Sequence, residues 1–131
     1  MARPLPTPDH ESAEFWRRVG ARALALQRCR ACRTFRFYPR ALCPECLDDD
    51  VEWVAASGRG TVYSYTVCHR AAAPAFAERV PYIIALIDLD EGVRIMANLV
   101  GGTPQDVRVG LPVILDYEDA GGVILYTFRP A

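Results

Sequence analysis

Four cysteines constrain this chain more than any other feature. Cys29-Arg30-Ala31-Cys32, ten residues, then Cys43-Pro44-Glu45-Cys46 read C-x2-C-x10-C-x2-C. Each C-x-x-C turn aims two sulfurs at one centre, and two such turns facing each other complete the thiolate tetrahedron that suits Zn2+. Ten intervening residues suffice for a hairpin that brings the turns together. The alternatives are two disulfides or four free thiols. Cysteines this close make poor structural disulfides, and redox C-x-x-C pairs come singly beside a βαβ unit, which this sequence lacks. With Cys29, Cys32, Cys43 and Cys46 as ligands, no position remains for water, so the expected site is structural rather than catalytic. Binding of that kind, about 10–16 kcal/mol, is folding energy for a segment with little core of its own. Iron is the rival ion. Iron knuckles usually carry Gly after the second Cys; Arg33 and Leu47 stand there, which leans towards zinc.

The rest of the chain bounds what the cysteines are attached to. At 131 residues it is one domain or two very small modules, and 51% hydrophobic residues supply a core. No apolar run approaches the roughly 20 residues that span a bilayer, and MARPLPTPDHESAEFW lacks a signal peptide's apolar stretch. The expected location is cytoplasmic, with no membrane contact. All 15 basic residues are Arg. Residues 1–44 hold nine Arg against three acids, and residues 45–131 hold six against thirteen. A near-neutral chain so divided is not a general nucleic-acid binder, but its front end suits phosphates or an acidic partner.

Periodicity divides the chain into an N-terminal helical segment (1–27), a metal ribbon (28–50) and a β domain (51–131). Thr7 and Pro8 read as an N-cap and first helical residue, predicting a helix from Pro8 to Val19 that Gly20 stops. Five strands are expected at 52–68, 82–89, 93–100, 112–118 and 123–129, with a helical turn at Gln105–Val109. That order is the pattern of an OB-fold barrel, so the class is mainly β: a helix, a metal ribbon and a five-stranded OB-fold barrel. Gly58 and Gly60 mark a bend in the long first strand.

Between the knuckles, Phe35, Phe37 and Tyr38 interleave with Arg33, Arg36 and Arg40. The aromatics read as core of a minimal module. The arginines read equally as solvated charges offsetting a four-thiolate centre or as phosphate contacts. No catalytic set assembles. Cys68 and His69 adjoin on a strand, so their side chains point to opposite faces. Asp88, Asp90 and Glu91 read as a solvated turn.

Leu26-Gln27-Arg28-Cys29-x-x-Cys32, Tyr38-Pro39-Arg40-x-x-Cys43-Pro44-x-Cys46, Gly58-x-Gly60-Thr61-Val62-Tyr63-Ser64-Tyr65, Pro81-Tyr82-x-x-Ala85 and Val109-Gly110-x-Pro112-Val113 follow a helix carrying Phe15-Trp16. Together they resemble the family known as "domain of unknown function 35", a rubredoxin-like zinc ribbon joined to an OB fold. The resemblance spans nearly the whole chain and departs at Arg33 and at Phe37-Tyr38, where Gly and Pro are commoner. It implies a structural zinc and a non-catalytic accessory subunit of a thiolase-like enzyme, such as an acetyl-CoA acetyltransferase or a steroid side-chain aldolase. A hetero-oligomer acting in acyl-CoA metabolism follows. Phe15 and Trp16 are then expected to face the partner, and Arg28, Arg36 and Arg40 to reach CoA phosphates. The alternative is a single-stranded nucleic-acid binder stacking bases on Tyr63, Tyr65 and Tyr82, which the acidic β half disfavours.

Overall fold

The apolar run Tyr82–Leu89 buries every second residue: Ile83, Ala85, Ile87 and Leu89 face inward. That period of two is what a pleated strand with one wet face requires. In a computed structural model, which describes residues 3–131, this run is one of five strands that close into a barrel. In chain order the elements are α1 (Ala13–Gly20), β1 (Ala25–Cys29), β2 (Phe35–Arg36), β3 (Val51–Ala55), β4 (Arg59–Cys68), a 3-10 turn (Pro74–Phe76), β5 (Tyr82–Leu89), β6 (Arg94–Leu99), β7 (Pro112–Asp119) and β8 (Ile124–Pro130). The barrel order is β4-β5-β6-β8-β7, and β4 pairs back onto β7. All pairs are antiparallel except β6 with β8, which meet at one register, Leu99 with Phe128. The expected mainly β class with a helix, a ribbon and a five-stranded OB-type barrel is what the structure shows. No described helix is long and apolar enough to cross a membrane.

Three sequence expectations change. The strand expected over 52–68 is two strands. Val51–Ala55 pairs with Ala25–Cys29 in the separate sheet β2-β1-β3, and Arg59–Cys68 enters the barrel. Gly58, at φ +79, takes the left-handed turn that separates them. The three-stranded sheet therefore draws on residues from both sides of the expected 28–50 ribbon.

The helix starts at Ala13, not Pro8. The Asp9 carboxylate accepts hydrogen bonds from the Glu11 N–H, the Ser12 N–H and the Ser12 hydroxyl at 3.1, 2.9 and 2.9 Å. These local bonds hold residues 9–12 in a turn that competes with helix. The same bonds, the Ser12 hydroxyl first, keep the Asp9 carboxyl below its ordinary range. Finally, Gln105–Val109 is not helical; Thr103 and Asp106 close a turn instead.

Helix, ribbon and barrel share one aromatic joint. Phe15 is 0% exposed and stands edge-on to Trp16 and to Tyr126 of β8, with ring centroids 5.1 and 5.9 Å apart. It also meets Phe37 of the ribbon at 5.5 Å. Trp16 stacks on Tyr126 at 5.8 Å and donates its indole N–H to the Tyr38 hydroxyl at 3.0 Å. Such pairs contribute about 0.5–1.5 kcal/mol beyond the area they bury. On the same side of the barrel, the Leu24 N–H donates to the Tyr117 hydroxyl at 2.9 Å.

Candidate metal centre

Both C-x-x-C turns are built alike from backbone bonds. The Arg33 N–H donates to the Cys29 carbonyl and the Leu47 N–H to the Cys43 carbonyl, each at 2.8 Å. The Cys29 and Cys43 N–H groups donate in turn to the Thr34 and Asp48 carbonyls at 3.0 and 2.9 Å. Closing the turns this way puts Arg33 at φ 68 and Leu47 at φ 66, the left-handed region that favours Gly. The departure from Gly at these positions leaves the turn geometry intact.

The four sulfurs lie within 4.8 Å of one another, with Cys29–Cys46 and Cys32–Cys43 both at 3.6 Å. A tetrahedron with Zn–S bonds near 2.3 Å has S···S edges of about 3.8 Å, so the spacing fits. Cys29 and Cys43 are buried, Cys32 and Cys46 exposed. Hydrogen bonding by the Thr34 hydroxyl and amide draws the Cys32 thiol down to about 6. At Cys46 the Asp48 amide favours the thiolate, but desolvation and three neighbouring sulfurs push its pKa up to about 12. Four thiolates so close repel one another, and a divalent cation at their centre removes the conflict. The donor set offers four sulfurs and no open position, which suits a structural ion.

The arginines do not converge. Gln27 of β1 pairs with Arg36 of β2, and Arg28 with Phe35, so Arg28 and Arg36 occupy opposite faces of the sheet. Arg28 is tied to Glu52 of β3 at 2.7 Å and lies over Phe35. Arg36 is 5% exposed, with Nε bonded to the Gln27 side chain and Nη2 to the Arg40 carbonyl, both at 2.9 Å. Its Nη1 is buried and has no hydrogen-bond partner among the described residues. Arg40 stays exposed over Tyr38. Phe15 is buried in the core, while Trp16 is half-buried and borders an apolar groove with Pro6, Pro8 and Ile124. Cys68 is half-buried and His69 exposed, with no hydrogen bond between them among the described residues. Asp88, at the end of β5, pairs with Arg94 of β6 at 2.7 Å, and Glu91 accepts from the Ser57 N–H at 2.6 Å, tying the β5–β6 turn to the segment before β4. Sequence reading missed Gln27, Thr34 and Asp48, whose supporting roles depend on pairings that spacing does not encode.

Comparison with known proteins places these features. Residues 16–52 match the family described as "ChsH2, rubredoxin-like zinc ribbon domain", and residues 53–118 match "ChsH2, C-terminal OB-fold domain". A probable enoyl-CoA hydratase alpha subunit of Thermomonospora curvata is 42% identical over 98% of this chain, which spans 40% of that relative. A DUF35 domain-containing scaffold protein of Methanocaldococcus jannaschii is 38% identical over 92% of this chain and 90% of its own length. The benzoylsuccinyl-CoA thiolase subunit BbsA of Thauera aromatica is 31% identical over 78% of this chain and 70% of its own. Among solved structures, a chain of the Ltp2-ChsH2(DUF35) aldolase superposes with a TM-score of 0.88 at 41% identity, covering 96% of this chain and 98% of that one.

Proposed function

This chain belongs to the DUF35 family of ChsH2-type proteins, a zinc ribbon followed by an OB-fold domain, and from that premise we propose that it is an accessory subunit of a thiolase-like enzyme in acyl-CoA metabolism. The observation that carries the reading is the near-complete superposition on a chain of the Ltp2-ChsH2(DUF35) aldolase. Relatives of matching length are scaffold proteins and thiolase subunits, which supports a role in assembly rather than in the chemical step.

Each part of the chain has work under this reading. A zinc ion bound by Cys29, Cys32, Cys43 and Cys46 fixes the two knuckles and supplies charge stabilisation, not a reactive site. The aromatic joint then holds ribbon, helix and barrel as one rigid docking body. Trp16 at the groove edge, with the exposed Tyr65 and Met96 on the outer face of the barrel, supplies apolar surface for a partner to cover. Aromatic and Met residues of this kind are what interfaces use.

Co-expression with a thiolase-like enzyme from the same genomic neighbourhood tests the proposal. A complex of defined stoichiometry on size exclusion with light scattering is expected, and omission of this chain should lower the partner's yield or activity. A chain that stays alone and leaves the partner's activity unchanged would overturn the assignment.

A further inference from the structure

Two gaps interrupt the hydrogen-bonded wall of the barrel. β6 and β8 meet at a single register, and the gap beside it is filled. The Tyr126 hydroxyl donates to the Met96 carbonyl at 3.2 Å, the Val100 N–H donates to the Phe128 carbonyl at 2.8 Å, and Trp16 of α1 stacks on Tyr126. The other gap is open. β4 pairs with β7 at Arg59, Gly60 and Thr61, and Val62 bonds to Leu111 and Gly110. Beyond a bulge between Val62 and Ser64, β4 runs on to Cys68 with β5 as its one neighbour.

Alternation decides which groups this edge presents. The Gly58 and Val62 carbonyls accept from the Leu115 and Gly110 N–H groups, so these residues face β7, and Arg59 and Thr61 face β5. The bulge adds one residue and reverses the phase. Ser64, Thr66 and Cys68, opposite Leu86, Ile84 and Tyr82, then turn their N–H and C=O groups to β5, and Tyr65 and Val67 turn theirs outward. Outside the β4–β5 ladder, no main-chain hydrogen bond reaches residues 63–68 among the described residues. Tyr63, Ser64, Tyr65 and Thr66 are all exposed. Proteins guard such edges with charge or Pro. Residues 63–68 read Tyr-Ser-Tyr-Thr-Val-Cys, which has neither and is rich in strand formers.

We propose that this edge pairs antiparallel with the same edge of a second copy of the chain, about a twofold axis at Thr66. An antiparallel edge is complementary to itself. Tyr65 faces Val67 of the second copy and Val67 faces its Tyr65, each pair exchanging two N–H···O=C bonds. Thr66 meets its own counterpart on the outer face, a Thr–Thr contact that paired strands favour, and no charge in the segment opposes the approach. One ladder of this length covers less than the roughly 800 Å² per partner of a stable interface, so the dimer is weak, with a Kd of about 10–100 μM. Met96 stays clear of the seam, because β5 separates β6 from β4. The pairing stands independently of the accessory-subunit reading.

Sedimentation velocity of the metal-loaded full chain from about 5 to 500 μM, beside amide exchange at both ends of that range, tests it. A monomer–dimer equilibrium is expected, with the Tyr65 and Val67 amides protected only in the dimer. Thr66→Lys places like charges at the axis and should weaken the dimer at least about tenfold. Thr66→Glu should do the same, and an equimolar mixture of the two variants should dimerise again, which a misfolded variant would not do. Leu42→Ser, which removes an exposed apolar residue on the ribbon, should leave the equilibrium unchanged. A chain that stays monomeric throughout, or a dimer that Thr66→Lys does not weaken, would overturn the proposal. Protection of Tyr65 and Val67 that arises only with an added enzyme partner would assign the edge to that partner and equally overturn it.

Discussion

Phe15 shows how one side chain can decide a small fold. It is fully buried where α1, the ribbon and β8 meet, against Trp16, Phe37 and Tyr126. Truncation should leave a cavity that three elements cannot jointly collapse, and Phe15→Ala is expected to lower stability by about 3–5 kcal/mol in urea unfolding. A loss below about 1 kcal/mol would mean that the joint is not central. Arg33 offers a finer test. Its φ of 68 closes the first knuckle, so Arg33→Gly should be tolerated, whereas Arg33→Val should cost about 1–2 kcal/mol and weaken metal binding. Competition with a chromophoric chelator reads the second effect. Residues also show what a sequence withholds. The four cysteines were legible because a C-x-x-C turn is local geometry written in four letters. Arg36 was not, because its burial depends on facing Gln27 across a two-residue pairing that nothing in its neighbourhood announces. Phe15 makes the same point: an apolar residue on a helix does not say which neighbour covers it.

At the scale of elements, β-strand alternation made four of the five barrel strands legible, and their observed bounds lie within a residue or two of those expected. The fifth was misjudged because Val51–Ala55 and Arg59–Cys68 are both strand-like and only three residues apart. What separates them is Gly58, whose left-handed turn sends one strand to β1 and the other to β5. Two residues on, Gly60 is the most closely approached of the described glycines. A Cβ there would meet the Asp88 carbonyl oxygen at 2.6 Å and Ile87 Cγ2 at 2.8 Å. Gly60→Ala should therefore force β4 from β5 and cost about 1–3 kcal/mol or more, while Gly20→Ala, with open space around it and no left-handed backbone, should cost far less. Calorimetry of the two variants separates these expectations. The ribbon elements behave differently from the barrel, because β1, β2 and β3 form a small sheet whose loops are closed by the cysteine turns. Removing metal with a chelator should strip amide-exchange protection from β1 and β3 while the central strands β5 and β6 keep theirs. Unchanged protection in β1 and β3 would show that the cage is dispensable.

The whole molecule is a four-cysteine ribbon and an OB-type barrel joined through one helix, and its family relatives are named as scaffold proteins and as subunits of larger enzymes. Under the proposed accessory role such a chain contributes shape and surface to an assembly, and a rigid body loses little entropy on docking. Rigidity here rests on the sulfur cage, so metal content is the property on which the account turns. Elemental analysis of the purified chain, run beside a count of reactive thiols before and after chelation, tests it most directly. About one zinc per chain is expected, with Cys29, Cys32, Cys43 and Cys46 protected until the metal is withdrawn. Less than about half an equivalent of any metal, or cysteines found paired as disulfides, would contradict the account.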